Sequence, residues 1–304
     1  MARPGWEFED GNISNDKARG LGQIAGSRQG SQGLYEQSST AKHPLGYRIA
    51  FDDGRVYRYA HFAAAVTPAG KLCCLDDTSQ VIADGAATAV VDSGGTAKDY
   101  ASSDKPTTIY VKDSDKFTTA HSDDALAGGY LHVCDNPHQA AGEGQTYRIR
   151  SNAYTVATSV MQLDLYDAMA VNLGSEAQVA VTGCMYRNLV PSGTASGTDS
   201  VVAGLPTIAI TAGYYAWLQT WGPCSALCDA SAGTVAAGTI ATLSDGVAGA
   251  VQPLSGGFLK AETSEGIITQ DLDFTQVIVD PIVGFFISAG TNGNYVPLFL
   301  QISP

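Results

Sequence analysis

The apolar residues of this chain alternate over short runs, and the 3.6-residue period of an amphipathic helix is almost absent. Residues 46–51 (GYRIAF) and 55–60 (RVYRYA) alternate on either side of Asp52-Asp53-Gly54, which reads as a β-hairpin closed by a Gly turn. Short β-branched or aromatic runs follow at 71–75, 107–111, 130–133, 145–149, 156–163 and 178–181, with weaker ones at 81–82 and 89–91. Residues 61–66 suit a short helix or a turn, and residues 163–171 a single helical or turn excursion.

Residues 191–204 (PSGTASGTDSVVAG) are rich in Gly, Ser and Thr and mark the best internal boundary. A denser block succeeds them, with strands expected at 207–211, 214–220, 226–229, 239–243, 249–254, 282–288 and 295–302. Strands every ~8–12 residues separated by Gly-containing turns indicate a sandwich or barrel. The expected fold is therefore mainly β: short-stranded β-sandwich or β-barrel domains at 46–204 and 205–304, preceded by an extended arm at 1–45. That first segment is rich in Gly, Ser and Gln with scattered apolar residues, and alone it cannot offset its ordering entropy. It is either a disordered tail or an arm that orders on a partner. The arm reading makes Trp6, Phe8, Leu21, Ile24 and Tyr35 contact residues.

Charge narrows the class. Charged residues make up 15% of the chain, against about 25% in typical soluble domains, so much of the surface is neutral and suited to protein contact. Residues 1–60 hold eight Lys/Arg and seven Asp/Glu, whereas residues 61–304 hold nine and 23. Residues 151–304 have Arg187 and Lys260 as their only bases, which disfavours direct nucleic-acid binding by the body. No run approaches a membrane span and no apolar signal segment opens the chain, so neither membrane association nor secretion is expected. Six irregularly spaced cysteines read as buried free thiols in a reducing cytoplasm.

Candidate chemistry is sparse. His132, Cys134 and His138 are close in sequence but lack a fourth ligand, and Cys224 and Cys228 do not supply a matching pair. The acidic pairs Asp52/Asp53, Asp113/Asp115, Asp123/Asp124 and Asp271/Asp273 sit in expected turns, where Asp serves the backbone. G-x-S-x-G, a P-loop, H-E-x-x-H and a nucleotide fingerprint are missing. No catalytic residue, metal site or cofactor is assigned. In the run 214–221, Tyr215, Trp217 and Gln219 alternate with Tyr214, Ala216, Leu218 and Thr220. These aromatics are core filling or a contact surface, and the second reading takes Tyr215, Trp217 and Trp221.

The order of segments 210–222, 224–229, 238–243, 249–254, 281–285 and 295–302 resembles the capsid decoration (cement) proteins and related head structural proteins of tailed bacteriophages. Residues 46–60, 128–133 and 144–149 look like virion proteins of the same kind. The resemblance implies a small barrel or sandwich on the capsid exterior, made in the host bacterial cytoplasm. It implies a homotrimer that binds the major capsid protein and locks neighbouring capsomers. The rival expectations are a head fibre, tail or baseplate protein, a carbohydrate-binding adhesin domain, and an enzyme.

Overall fold

A computed structural model describes residues 32–75, 81–112, 124–136, 142–155, 159–193, 201–254 and 281–304, with the backbone alone for 81–88. The protein is mainly β, as the alternation requires. Its strands sort into two bodies. The first is a closed barrel of six antiparallel strands: β5 (Val81–Val91), β6 (Thr108–Lys112), β7 (Tyr130–Asp135), β8 (Thr146–Thr155), β9 (Val160–Leu165) and β10 (Gln178–Thr182). They close in the order β10-β5-β6-β9-β8-β7, leaving no free sheet edge.

Period-two alternation fills the barrel. Ile109 and Val111 of β6, Leu131 and Val133 of β7, Ile149 of β8, Leu163 and Leu165 of β9, and Val179 and Val181 of β10 point into one buried cluster. Of the two forms expected at 163–171, the helical one is absent: β9 continues to Leu165 and the chain then bends. Its apolar residues are absorbed by the barrel, where Met169 is buried and its N–H donates to Pro106 O.

The second body is an eleven-stranded sheet. It begins with β1 (Gln37–Ser38), β2 (Arg48–Ala50), β3 (Val56–His61) and β4 (Cys73–Leu75). It resumes with β11 (Leu189–Pro191), β12 (Val202–Pro206), β13 (Tyr215–Leu227), β14 (Ile240–Leu243), β15 (Val251–Pro253), β16 (Ile282–Phe286) and β17 (Tyr295–Gln301). The main path runs β11-β4-β12-β13-β17-β16-β14-β15, with β1 and β3 also paired to β13 and β2 to β3. The expected hairpin is β2–β3, in register Arg48↔Arg58 to Ala50↔Val56.

The barrel is inserted in this sheet. β4 leaves toward it, β11 returns from it, and the two pair antiparallel from Cys73↔Pro191 to Leu75↔Leu189. The division therefore differs from the one expected at 204/205. That position lies inside β12, where Val202, Ala203 and Leu205 are buried, and the run expected at 207–211 contributes only the bridge Val66↔Ile210. Local composition marks 191–204 as a linker. The pairings of β4 with β12 and of β3 with β13 join residues far apart in sequence, and single runs carry no trace of them.

The long strand β13 is the spine of the sheet. It pairs with β3 from Tyr215 to Trp221, across a register shift at Gln219/Trp221, and with β17 from Trp221 onward. Its first part packs with Tyr57, Tyr59 and Phe62, and its second with Leu72, Phe286 and Leu298. Residues 32–45, expected to be arm, belong to this body. Leu34 is 1% exposed, Trp217 Nε1 donates to Gln32 O at 2.9 Å, and Tyr59 Oη donates to Gln32 Oε1 at 2.6 Å. Residues 1–31, with Trp6, Phe8, Leu21 and Ile24, lie outside the described residues.

Asp229, fully buried after β13, ties two loops together. Its carboxylate accepts from Ser231 N–H at 2.9 Å and Ser244 Oγ at 2.6 Å, while Ser244 Oγ accepts from the N–H groups of Gly246 and Val247. Burial alone raises this carboxyl, but the Ser231 and Ser244 donors outweigh it, and the net shift is downward. A depressed folded-state pKa stabilises above the unfolded carboxyl value of 3.8 and is lost as pH falls through the lower folded value. Asp229→Asn is thus expected to lose about 1–3 kcal/mol at pH 7. Its deficit relative to wild type should shrink below pH 4 in urea titrations.

Candidate functional site

A cleft of about 410 Å³ opens beside the bend of β13 and is walled by Tyr35 and Tyr295. Its floor is a hydrogen-bonded relay running inward from the surface. Arg55 Nε donates to Asp53 Oδ2 at 2.7 Å, Arg55 Nη1 to Tyr57 Oη at 3.1 Å, and Tyr57 Oη to Gln219 Oε1 at 3.2 Å. Gln219 Nε2 then donates to the carbonyls of Trp221 and Pro223 at 3.1 and 2.9 Å. Sequence dictates the relay locally: the Asp52-Asp53-Gly54 turn places Asp53 two residues before Arg55, and alternation puts Arg55 and Tyr57 on one side of the strand.

The guanidinium lies 5.3 Å from the Phe51 ring centroid and 5.9 Å from that of Tyr57, which fixes its plane. Burial pushes the Tyr57 phenol up to about 12, more than the Arg55 charge lowers it, and burial pushes the Cys224 thiol in the same wall up to about 12. At neutral pH the cleft thus presents a guanidinium, a phenol, an amide and two exposed rings. Thr207, also in its lining, has a buried Oγ1 with no hydrogen-bond partner. This set offers hydrogen bonds and ring stacking.

Beyond the cleft lies an uncharged sheet face. β13 to β17 contain no Asp, Glu, Lys or Arg, and neither does any residue from 281 to 304. The register places Ile240 opposite Phe285, Phe285 opposite Phe299, and Phe299 opposite Pro223, giving an apolar row across four strands. Phe285 and Phe299 stack with centroids 5.1 Å apart, and Trp221 meets Phe299 edge-on at 6.1 Å. Around the row Ile240, Ile282, Ile287 and Tyr295 are exposed, Ile282 at 56%.

The sequence candidates fall in different places. Trp217 is fully buried, so its contact reading is corrected: it fills the core, with its ring 5.1 Å from Tyr59 and 5.2 Å from His43. Tyr215 is half-buried, stacked on Tyr59 at 6.1 Å, and Trp221 is half-buried in the apolar row. Tyr35 stands at the cleft mouth. Phe285, Phe299, Ile240 and Ile282 were not singled out by sequence; the charge-free run 281–304 was the available signal.

His132 has both ring nitrogens near threonine hydroxyls, Thr146 Oγ1 at 3.1 Å and Thr182 Oγ1 at 3.0 Å. His138, Asp113, Asp115, Asp123, Asp271 and Asp273 lie outside the described residues. Among the described residues no three His, Cys, Asp or Glu side chains come together as a metal-binding group, and no helix is long and apolar enough to cross a membrane. All six cysteines are free; Cys134 is exposed, contrary to expectation, Cys224 is half-buried and the other four are buried. No protein-family model, curated protein or solved structure matches the chain.

Proposed function

We propose that this chain is a virion structural protein of a tailed bacteriophage, bound to the outside of the capsid, where it cross-links neighbouring capsomers. Its partners are the major capsid protein and, in a homotrimer, further copies of itself. The observation that carries the reading is the uncharged face of β13–β17 with its row Ile240-Phe285-Phe299-Pro223. Depletion of charge around aromatic and aliphatic anchors is the composition of an interface core, and contiguous apolar patches of this kind mark protein contacts. Repeated attachment multiplies weak contacts into firm retention.

Titration of expanded shells with the protein tests it. Wild type should saturate them, and Ile282→Lys, at an exposed position, should weaken binding by tenfold or more while leaving the melting temperature within a few degrees. Full occupancy by Ile282→Lys together with Ile240→Lys would remove the sheet face from the account. Truncation should be made at residue 31, because removing residues 32–45 opens the core around Trp217. A second reading, a carbohydrate-binding adhesin domain, is favoured by the cleft, whose Tyr35 and Tyr295 rings flank hydrogen-bonding groups. Glycan-array binding abolished by Tyr295→Ala, with shell binding absent, would select it.

A further inference from the structure

We propose that the cleft between the barrel and the sheet body binds a small oxyanion, a phosphate or carboxylate group, through Arg148, Arg150 and Arg187. This proposal is independent of the virion reading. The cleft measures about 210 Å³ and is lined by elements of both bodies: β8 supplies Arg148 and Arg150, the segment between β10 and β11 supplies Arg187, and His43 and Tyr215 come from the sheet side.

Three observations converge on it. Residues 61–304 contain three arginines, and all three line this cleft, whereas none of the described lysines does. Among the described residues no Asp or Glu lines the cleft, and neither Arg148 nor Arg150 has a carboxylate within 4.0 Å. Asp164 feels the Arg150 charge, yet its oxygens are engaged by Thr108 Oγ1 at 2.7 Å and Ser151 Oγ at 2.9 Å. Guanidinium groups that line one cleft raise its local positive potential, which favours an anion there.

The groups are also positioned. The Arg148 guanidinium lies 5.1 Å from the centroid of the Tyr166 ring, which lines the same cleft. His43 is held between Tyr59 and Trp217, and its Nε2 is buried with no hydrogen-bond partner. Planar guanidinium forks match the paired oxygens of carboxylate and phosphate, which a lysine ammonium does not. The volume accommodates one such group with its bridging waters.

Isothermal titration of the full chain with inorganic phosphate, against sodium chloride at equal ionic strength, tests the site. The expected result is saturable binding, one phosphate per chain, weakened about tenfold or more in Arg148→Gln and in Arg150→Gln. Both side chains are exposed, so these variants should keep the wild-type melting temperature. Lys105→Gln removes the same charge from another surface and should leave the affinity unchanged. Sedimentation with and without phosphate separates the sources: unchanged mass indicates a free anion, and dissociation of an oligomer indicates a carboxylate of a neighbouring copy. Absence of saturable binding, or equal weakening by Lys105→Gln, overturns the proposal.

Discussion

Trp217→Ala should lower the unfolding free energy by about 3–5 kcal/mol, enough to remove most of the stability of an ordinary domain. The ring is fully buried and meets His43, Tyr47 and Tyr59, so truncation leaves a cavity where β3 and β13 pack. It also removes the Nε1–H donor to Gln32 O, the contact that fastens the chain's entry to the sheet. Trp217→Phe keeps most of the volume and loses the hydrogen bond, and should cost about 1–3 kcal/mol. Urea denaturation separates this account from the contact reading of the same residue. A contact residue would lose partner binding with stability intact, whereas Trp217 should lose stability first. Tyr35→Ala, at a side chain 57% exposed, should stay within about 0.5 kcal/mol of wild type.

The second large effect is expected at Gly284, in the middle of β16. Its φ is +155°, and an added Cβ would overlap the Phe299 carbonyl oxygen in the neighbouring β17. The pair Gly284↔Leu300 belongs to the ladder that carries the apolar row, so relief of the clash must separate the strands. Gly284→Ala should therefore cost roughly 3 kcal/mol or more. Gly238, with φ +81° and nothing within 4 Å of a built Cβ, isolates the conformational part. Gly238→Ala should cost about 1–2 kcal/mol. Equal losses at the two glycines in thermal denaturation would contradict the close packing of β16 on β17.

Sequence reached the β class and most strands because alternation is a local signal that burial enforces. Val179-Ala180-Val181 shows it: the valines face the barrel interior and the alanine between them does not. The hairpin of β2 and β3 was equally legible, since a Gly turn joins residues close in the chain. The insertion was not legible, because it is defined by β4 meeting β11 across more than a hundred residues. Nor was the end of the arm: Gln32 and Leu34 look like linker residues until Trp217 and Tyr59 claim them.

The two candidate sites differ in the same way. The uncharged face was written plainly in residues 281–304, where no charge interrupts the strands. Its apolar row depends on the registers that align Ile240, Phe285, Phe299 and Pro223, and those are tertiary. The arginine cleft was hidden further still. Arg148 and Arg150 alternate on one strand, but only the junction of barrel and sheet brings Arg187 and His43 to them.

A virion reconstruction in which this chain is traced tests the contact face most directly. The account predicts that Ile240, Ile282, Phe285 and Phe299 lie within van der Waals distance of a neighbouring protein chain on the capsid exterior. Density with the β13–β17 face open to solvent and the chain attached by its barrel alone would contradict it.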